Sequence, residues 1–254
     1  MILAIDIGNS FTNVGLFKGN KLIYKSKFPS IDKPDESKVI KIFEKFSFNF
    51  KAIGISSVVP ENNPYWKAVL TNYLNVKPLF ITGKTKTPLK LKIDKPQSLG
   101  SDRICNAVAG YQMYRHKHNV IIIDFGTATT YDVVLKNGDY LGGIISPGIE
   151  TSSQSLFLKT SKLPLLTYRK LNFPKDPIGR NTAEAIRSGI MYPALDSMEN
   201  MIRRIEKFLK VKLNVILTGG LSSLIYKKTS LNVIRKQDLV LIGINYILRY
   251  NNEH

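Results

Sequence analysis

The sequence predicts an α/β protein of two domains related by an internal duplication. Three observations carry that expectation. Residues 2–20, ILAIDIGNSFTNVGLFKGN, are echoed at an offset of 118 residues by 120–138, VIIIDFGTATTYDVVLKNG, which aligns Asp6 with Asp124, Gly8 with Gly126, Thr12 with Thr130 and Lys18 with Lys136. Each copy opens on a continuous apolar run of the kind a buried strand shows, and stretches with helical periodicity fill the rest. The 254 residues, 43% of them hydrophobic, supply enough apolar surface for two packed domains.

Each element follows from local signals. In both copies the apolar run ends in Asp-x-Gly and small hydroxyl or amide residues. A second apolar segment follows, then Gly19-Asn20 or Asn137-Gly138, so each copy predicts a β-meander with a polar first turn. Val39, Ile42, Phe43 and Phe46 have helical spacing. So do Trp66, Val69, Leu70 and Tyr73, with Pro64 suited to a first turn. Ile104, Ala107, Val108 and Tyr111 mark a further helix. Asn181-Thr182-Ala183-Glu184 resembles a capping box opening a long helical region, which Pro193 is expected to interrupt. Strand-like runs occupy 52–59, 77–81 and 214–217, and the chain closes on an apolar stretch over 238–249. The domain boundary is expected near 116–119.

Composition narrows the class. One cysteine excludes a disulfide scaffold and a multi-thiolate metal site, and suits a reducing compartment. The longest apolar stretch, 239–248, holds Gly243 and Asn245 and is half a membrane span, so no membrane association is expected. The N-terminus reaches Asp6 too soon for a signal peptide. These readings point to a cytoplasmic protein. The formal charge of +18 attracts polyanions, yet the lysines are dispersed, as in Lys84, Lys86, Lys90, Lys92 and Lys95, and form no basic helix. A solvated Lys-rich surface is favoured over nucleic-acid binding.

The turns carry the chemistry. Glycine lets the backbone approach a ligand, hydroxyl, amide and main-chain N–H groups hold phosphate oxygens, and a strand-end Asp can hold a cation. Two such copies facing each other would grip a polyphosphate, whereas one alone reads as an ordinary hairpin turn. Val215 to Ser222, VILTGGLS, runs from a strand into Gly219-Gly220, which suits either a flat ring against the backbone or a plain loop. Gly100-Ser101-Asp102-Arg103 precedes the Ile104 helix. There the helix dipole favours an ionised Asp102, able to accept a hydroxyl proton, and Arg103 can pair with an anion; an N-terminal salt bridge explains the same residues. Gly83-Lys84-Thr85 is not a P-loop, because Pro78 stands where its first Gly belongs. His116 and His118 lack a third ligand nearby, and Cys105 reads as a small core residue.

Asp6-Ile7-Gly8-Asn9-Ser10, Asp124-Phe125-Gly126-Thr127 and Thr218-Gly219-Gly220 together resemble the two phosphate loops and adenosine loop of the acetate and sugar kinase/Hsp70/actin superfamily. Three further motifs bring the whole chain close to the type III pantothenate kinase family. They are Gly100 to Arg103 with Asn106-Ala107-Val108; Gly142-Gly143-Ile144-Ile145-Ser146-Pro147-Gly148; and Gly179-Arg180-Asn181-Thr182-Ala183-Glu184-Ala185-Ile186 with Ser188-Gly189.

The resemblance implies two ribonuclease H-like domains with a nucleotide cleft between them. Residues 1–117 would carry the first phosphate loop and substrate loop. Residues 118–254 would carry the second phosphate loop, the adenosine loop and a dimer interface. It implies ATP phosphates on Asp6, Ile7, Gly8, Asn9, Ser10, Phe11, Thr12 and Asn13, with Mg²⁺ near Asp6, and a further ATP contact from Thr127. Asp124 would ligate a monovalent cation, K⁺ or NH₄⁺. Pantothenate would meet Ile93, Gly100, Ser101, Asp102 and Arg103, with Asp102 as proton acceptor, and Thr182 from the neighbouring subunit of a homodimer. Ile186, Ile190, Leu195, Met198 and Ile202 would supply the apolar interface. The implied reaction makes 4′-phosphopantothenate, the first step of coenzyme A synthesis. The family usually has Ala where this chain has Ser101, and often Tyr where Ile93 stands three residues before Pro96. Alternatives are a kinase for another small alcohol, or a transcription-accessory protein of the same family; the retained Asp6, Asp102 and Asp124 speak against the latter.

Overall fold

A computed structural model describes residues 1–30, 40, 50–115 and 117–253. The helix expected over Val39 to Phe46 and the position of His116 lie outside the described residues. The chain divides into two compact units, Met1–Met113 with Gly138–Tyr140 and Leu239–His254, and Tyr114–Asn137 with Leu141–Asp238.

The first unit is built on β1 (Ile2–Ile7), β2 (Phe11–Lys18), β3 (Lys21–Pro29), β4 (Ala52–Ser57) and β5 (Leu79–Phe80), in the order β3-β2-β1-β4-β5. The first three form the expected antiparallel meander, while β4 is parallel to β1 and β5 to β4. β6 (Lys90–Leu91) pairs with Asp139 and Tyr140, the start of β9 (Asp139–Pro147), which is why those two residues group here. On one sheet face Leu3, Ile5, Ile7, Val14, Ile53 and Ile55 close over Trp66, Val69 and Leu70 of α1 (Asn63–Leu74). A strand buried on both faces needs an almost unbroken apolar run, and β1 has one, broken only by Asp6.

The opposite face packs on α2 (Ser101–Met113) and α6 (Leu239–Glu253). This corrects the expected second domain of 118–254, because its last helix belongs to the first unit. Two glycines make room for it. A Cβ at Gly54 would sit 2.6 Å from Ile244, and one at Gly15 3.1 Å from Leu241. Within α6, Gly243 lies so close to the Cys105 carbonyl of α2 that a Cβ there would overlap backbone. Gly243→Ala should therefore cost about 1–3 kcal/mol, the range for an overpacked core. Urea unfolding would show it as a lower midpoint at unchanged slope; an unchanged midpoint would refute the close packing.

The second unit repeats the topology. β7 (Val120–Phe125), β8 (Ala128–Val134), β9, β10 (Asn214–Thr218) and β11 (Val233–Arg235) run in the order β11-β10-β7-β8-β9. β7 is antiparallel to β8 and parallel to β10, as β1 is to β2 and β4. The duplication is thus a repeat of strand order as well as of sequence. It is not in constant register, however. Ile7 faces Thr12 but Phe125 faces Thr129. The Gly8 N–H donates to the Phe11 carbonyl, three residues on, and the Gly126 N–H to that of Ala128, two residues on. The second hairpin is one residue tighter, so Thr12 corresponds to Thr129, not to Thr130 as the aligned sequence has it.

α3 (Ile149–Lys159), α4 (Thr182–Leu209) and the short α5 (Ser222–Tyr226) complete this unit. α4 runs unbroken through Pro193, against expectation. Pro193 is exposed, so the Gly189 carbonyl freed by the missing N–H sits where water can reach, and a Cβ on Gly189 would meet nothing. Ile186, Ile190, Met198 and Ile202, expected to face a second subunit, are buried in this unit's own core with Ile121, Ile123 and Leu217; Leu195 packs beside them. The apolar stripe has a partner inside its own unit and is not available as the interface proposed for it.

Candidate functional site

In the first unit, sheet register assembles a polar row at the end of β1. Asp6 lies between Ser56 of β4 and Asn13 of β2, and Asn13 lies beside Lys27 of β3. Cross-strand neighbours share a face, and the Asn13 amide donates to Asp6 Oδ2 at 3.2 Å. The loop that follows exposes Asn9, Ser10 and Phe11, and a Cβ at Gly8 would stand 3.0 Å from the Phe11 carbonyl. Two expected ATP contacts turn away. Ile7 is wholly buried, and the buried Thr12 hydroxyl bonds Ser30 Oγ at 2.9 Å, so both offer a ligand only backbone.

The substrate motif opens α2 beside this row. Ser101 Oγ accepts from the Ser57 N–H at 2.9 Å, donates to the Ser57 carbonyl at 3.0 Å and lies 3.0 Å from Ser56 Oγ. One donor and two acceptors are thereby used, so the Ser101 side chain fastens α2 to β4 rather than facing a ligand. Ser56 and Ser57 have no motif around them, and sequence reasoning missed them. Asp102 is half-buried; its Oδ1 accepts from the Arg103 N–H at 2.8 Å, and a Cβ at Gly100 would approach that oxygen to 2.6 Å. Burial pushes the Asp102 carboxyl above its ordinary value, outweighing the Arg103 N–H and guanidinium that pull it down. The helix start was expected to favour the ionised form of Asp102, and burial works against that preference.

Cys105 ties the two motifs together. It is fully buried, and its thiol is pushed well up by burial first, then by the charges of Asp6 and Asp102, against a hydrogen bond with Ser56. The carboxylate of the first phosphate loop and that of the substrate motif thus act on one buried thiol. Ile93 is half-buried in the loop after β6.

In the second unit, Asp124 ends β7 between Thr130 and Thr218. The α3 start is folded onto its loop: the Gly148 N–H and Thr151 hydroxyl both donate to the Thr127 carbonyl, at 3.2 and 2.5 Å, leaving Thr127 exposed. Gly219 holds φ +90°, open to glycine at no steric cost, and a Cβ there would overlap Asp124 Oδ1 and the Phe125 backbone. The Gly219 turn therefore packs directly on the end of β7, where only a residue without a side chain fits against Asp124 and Phe125. Among the described residues no three His, Cys, Asp or Glu side chains gather to hold a metal ion. A lone carboxylate binds such an ion only with further oxygens, backbone or ligand phosphate.

The Asn181 motif behaves as a cap. Asn181 Oδ1 accepts from the Glu184 N–H at 2.9 Å, and Glu184 Oε2 accepts from the Arg180 N–H at 3.1 Å. Thr182 is exposed on the first turn of α4. Among the described residues no helix is long and apolar enough to cross a membrane.

Comparison with known proteins follows the same lines. Residues 2–204 match the family model described as type III pantothenate kinase. A relative of that name from Sulfurihydrogenibium sp. (strain YO3AOP1) is 40% identical over 98% of this chain and all of its own. Another, from Myxococcus xanthus (strain DK1622), is 34% identical over 100% and 99%. Among solved structures, a Campylobacter jejuni protein described as a candidate Baf family transcriptional activator superposes with a TM-score of 0.60 at 21% identity, over 99% of this chain and 100% of that one. The Thermus thermophilus ROK hexokinase gives 0.55 at 12%, over 100% and 99%. At these identities the two structures establish the fold alone.

Proposed function

Because the chain belongs to the type III pantothenate kinase family, we propose that Asp102 is the general base of its phosphoryl transfer and that the two Asp-x-Gly loops hold the nucleotide phosphates. The activity is ATP-dependent phosphorylation of pantothenate to 4′-phosphopantothenate, the first step of coenzyme A synthesis. The observation that carries the assignment of roles is the shared neighbourhood of Asp6 and Asp102 around Ser56 and Cys105.

Backbone N–H groups after Asp6, with Asn9, Ser10 and Asn13, and Thr127 of the second loop receive the phosphates. Gly100, Arg103 and the Ile93 loop receive pantothenate. As the pantothenate hydroxyl oxygen bonds the γ-phosphorus and ADP departs, Asp102 takes the hydroxyl proton. Positioning and charge neutralisation carry most of such a reaction, whose transition state is loose. Mg²⁺ beside Asp6 and K⁺ or NH₄⁺ at Asp124 neutralise phosphate charge when bound. Thr182 reaches the substrate of a second subunit in a homodimer of cytoplasmic location. The exposed Ile145, Leu158 and Ile178, rather than the α4 stripe, offer apolar surface to that subunit.

A coupled ATP-consumption assay tests the reading. Turnover should need pantothenate and Mg²⁺ and rise with K⁺ or NH₄⁺, and Asp124→Ala should abolish the rise. Full activity in Na⁺-only or Tris buffer with no gain from K⁺ would remove the cation from Asp124. No turnover with pantothenate under any cation would remove the assignment of roles.

A further inference from the structure

The first phosphate loop holds a carboxylate and no cation. From Met1 to Phe17 the chain carries no Lys or Arg, and Lys18 stands at the far end of β2 from the loop. A polyphosphate placed beside Asp6 needs positive charge from the protein as well as from an ion. Register supplies a side chain for this. Lys27 of β3 is the cross-strand neighbour of Asn13, which is the neighbour of Asp6, so the three share one face, with Lys27 two strand spacings, about 10 Å, from Asp6. Its ammonium sits 3.8 Å from the centroid of the Phe11 ring. Phe11 is a large aromatic left 41% exposed within the loop itself. A cation over an aromatic face is held there by the ring quadrupole while its N–H donors still point outward.

We propose that Lys27 is a phosphate-binding residue of this enzyme, the protein cation of the first phosphate loop, and that Phe11 is the platform that seats it. The ligand is the polyphosphate of a nucleoside triphosphate. The proposal rests on reading this loop as the nucleotide site. It explains why an exposed phenylalanine occupies a polar loop: the ring limits the lysine's rotamer freedom before ATP arrives, which lowers the ordering cost of the contact.

The test is calorimetric binding of ATP, and separately of adenosine, to the full-length protein, with KM values for ATP and pantothenate. Lys27→Met should weaken ATP roughly ten- to hundredfold, the effect of losing a charge-assisted hydrogen bond, leave adenosine affinity and pantothenate KM unchanged, and be restored by Lys27→Arg. Phe11→Leu, which keeps an apolar cover without the ring, should show a smaller loss of ATP in the same direction. Unchanged ATP affinity in Lys27→Met overturns the proposal, as does an equal fall for adenosine, which would mean that Lys27 only supports the loop. If Asp6→Asn and the loop variants all leave ATP binding intact, the nucleotide reading of this loop falls as well, a result distinct from failure at Lys27 alone.

Discussion

Asp102→Asn should keep the fold and ATP binding and lose turnover by roughly 10²–10⁴-fold, the contribution of a positioned general base. Asn has the same shape, and its amide oxygen can still accept the Arg103 N–H that Asp102 now accepts at 2.8 Å, so the lost function is proton acceptance. Because burial raises the Asp102 carboxyl, two further results follow. The base acts deprotonated, so kcat should fall as pH drops through a value raised above that of an ordinary aspartate. Arg103→Ala removes a charge that pulls that value down, so its acid limb should move to still higher pH. Stability has the opposite sense. A carboxyl whose folded pKa is raised destabilises the folded state at neutral pH and ceases to do so below its unfolded pKa. Asp102→Asn should therefore be at least as stable as the parent at pH 7 in thermal melts, a trade of stability for activity. Near-normal kcat in Asp102→Asn would remove it from the mechanism, and an acid limb near 3.8 would contradict its burial.

The second large effect concerns assembly. Thr182→Arg should be inactive alone, since it places a bulky cation where the exposed hydroxyl at the start of α4 is proposed to meet the neighbour's substrate. Mixed with inactive Asp102→Asn subunits it should regain activity. In a mixed dimer one site combines Asp102 of one subunit with Thr182 of the other, both intact, so random exchange restores about a quarter of the parental sites under two-fold symmetry. The cap is local to residues 180–184, so Thr182→Arg should leave the helix formed, checked by circular dichroism. A fully active monomer, or no rescue after verified subunit exchange, would sink the shared site.

Much of the site was legible because its signals are local. An Asp-x-Gly after an apolar run reads as a strand running into a glycine turn wherever it stands, and both copies folded so. The Asn181 cap and the α2 start at Gly100 were likewise legible, since a helix end is decided by a few neighbouring donors and acceptors. The amphipathic stripe of α4 was legible as a stripe. Which surface it covers was not, because an apolar face is satisfied equally by its own unit's sheet or by another chain.

The sequence by itself therefore determined the duplicated meanders, the glycine turns that end their first strands and the helix starts at Gly100 and Asn181; each depends on chain neighbours within a turn. Only the tertiary structure decided what depends on pairing between distant segments. It set the one-residue slip that matches Thr12 with Thr129, and the return of α6 to the first unit over Gly15 and Gly54. It consumed the Ser101 hydroxyl on β4, raised Asp102 by burial, and placed Lys27 over Phe11 on the sheet face that carries Asp6. Strand register and desolvation are properties of the packed chain, since a shift of one residue reverses every side chain's face and a carboxyl's proton affinity follows what surrounds it rather than what precedes it.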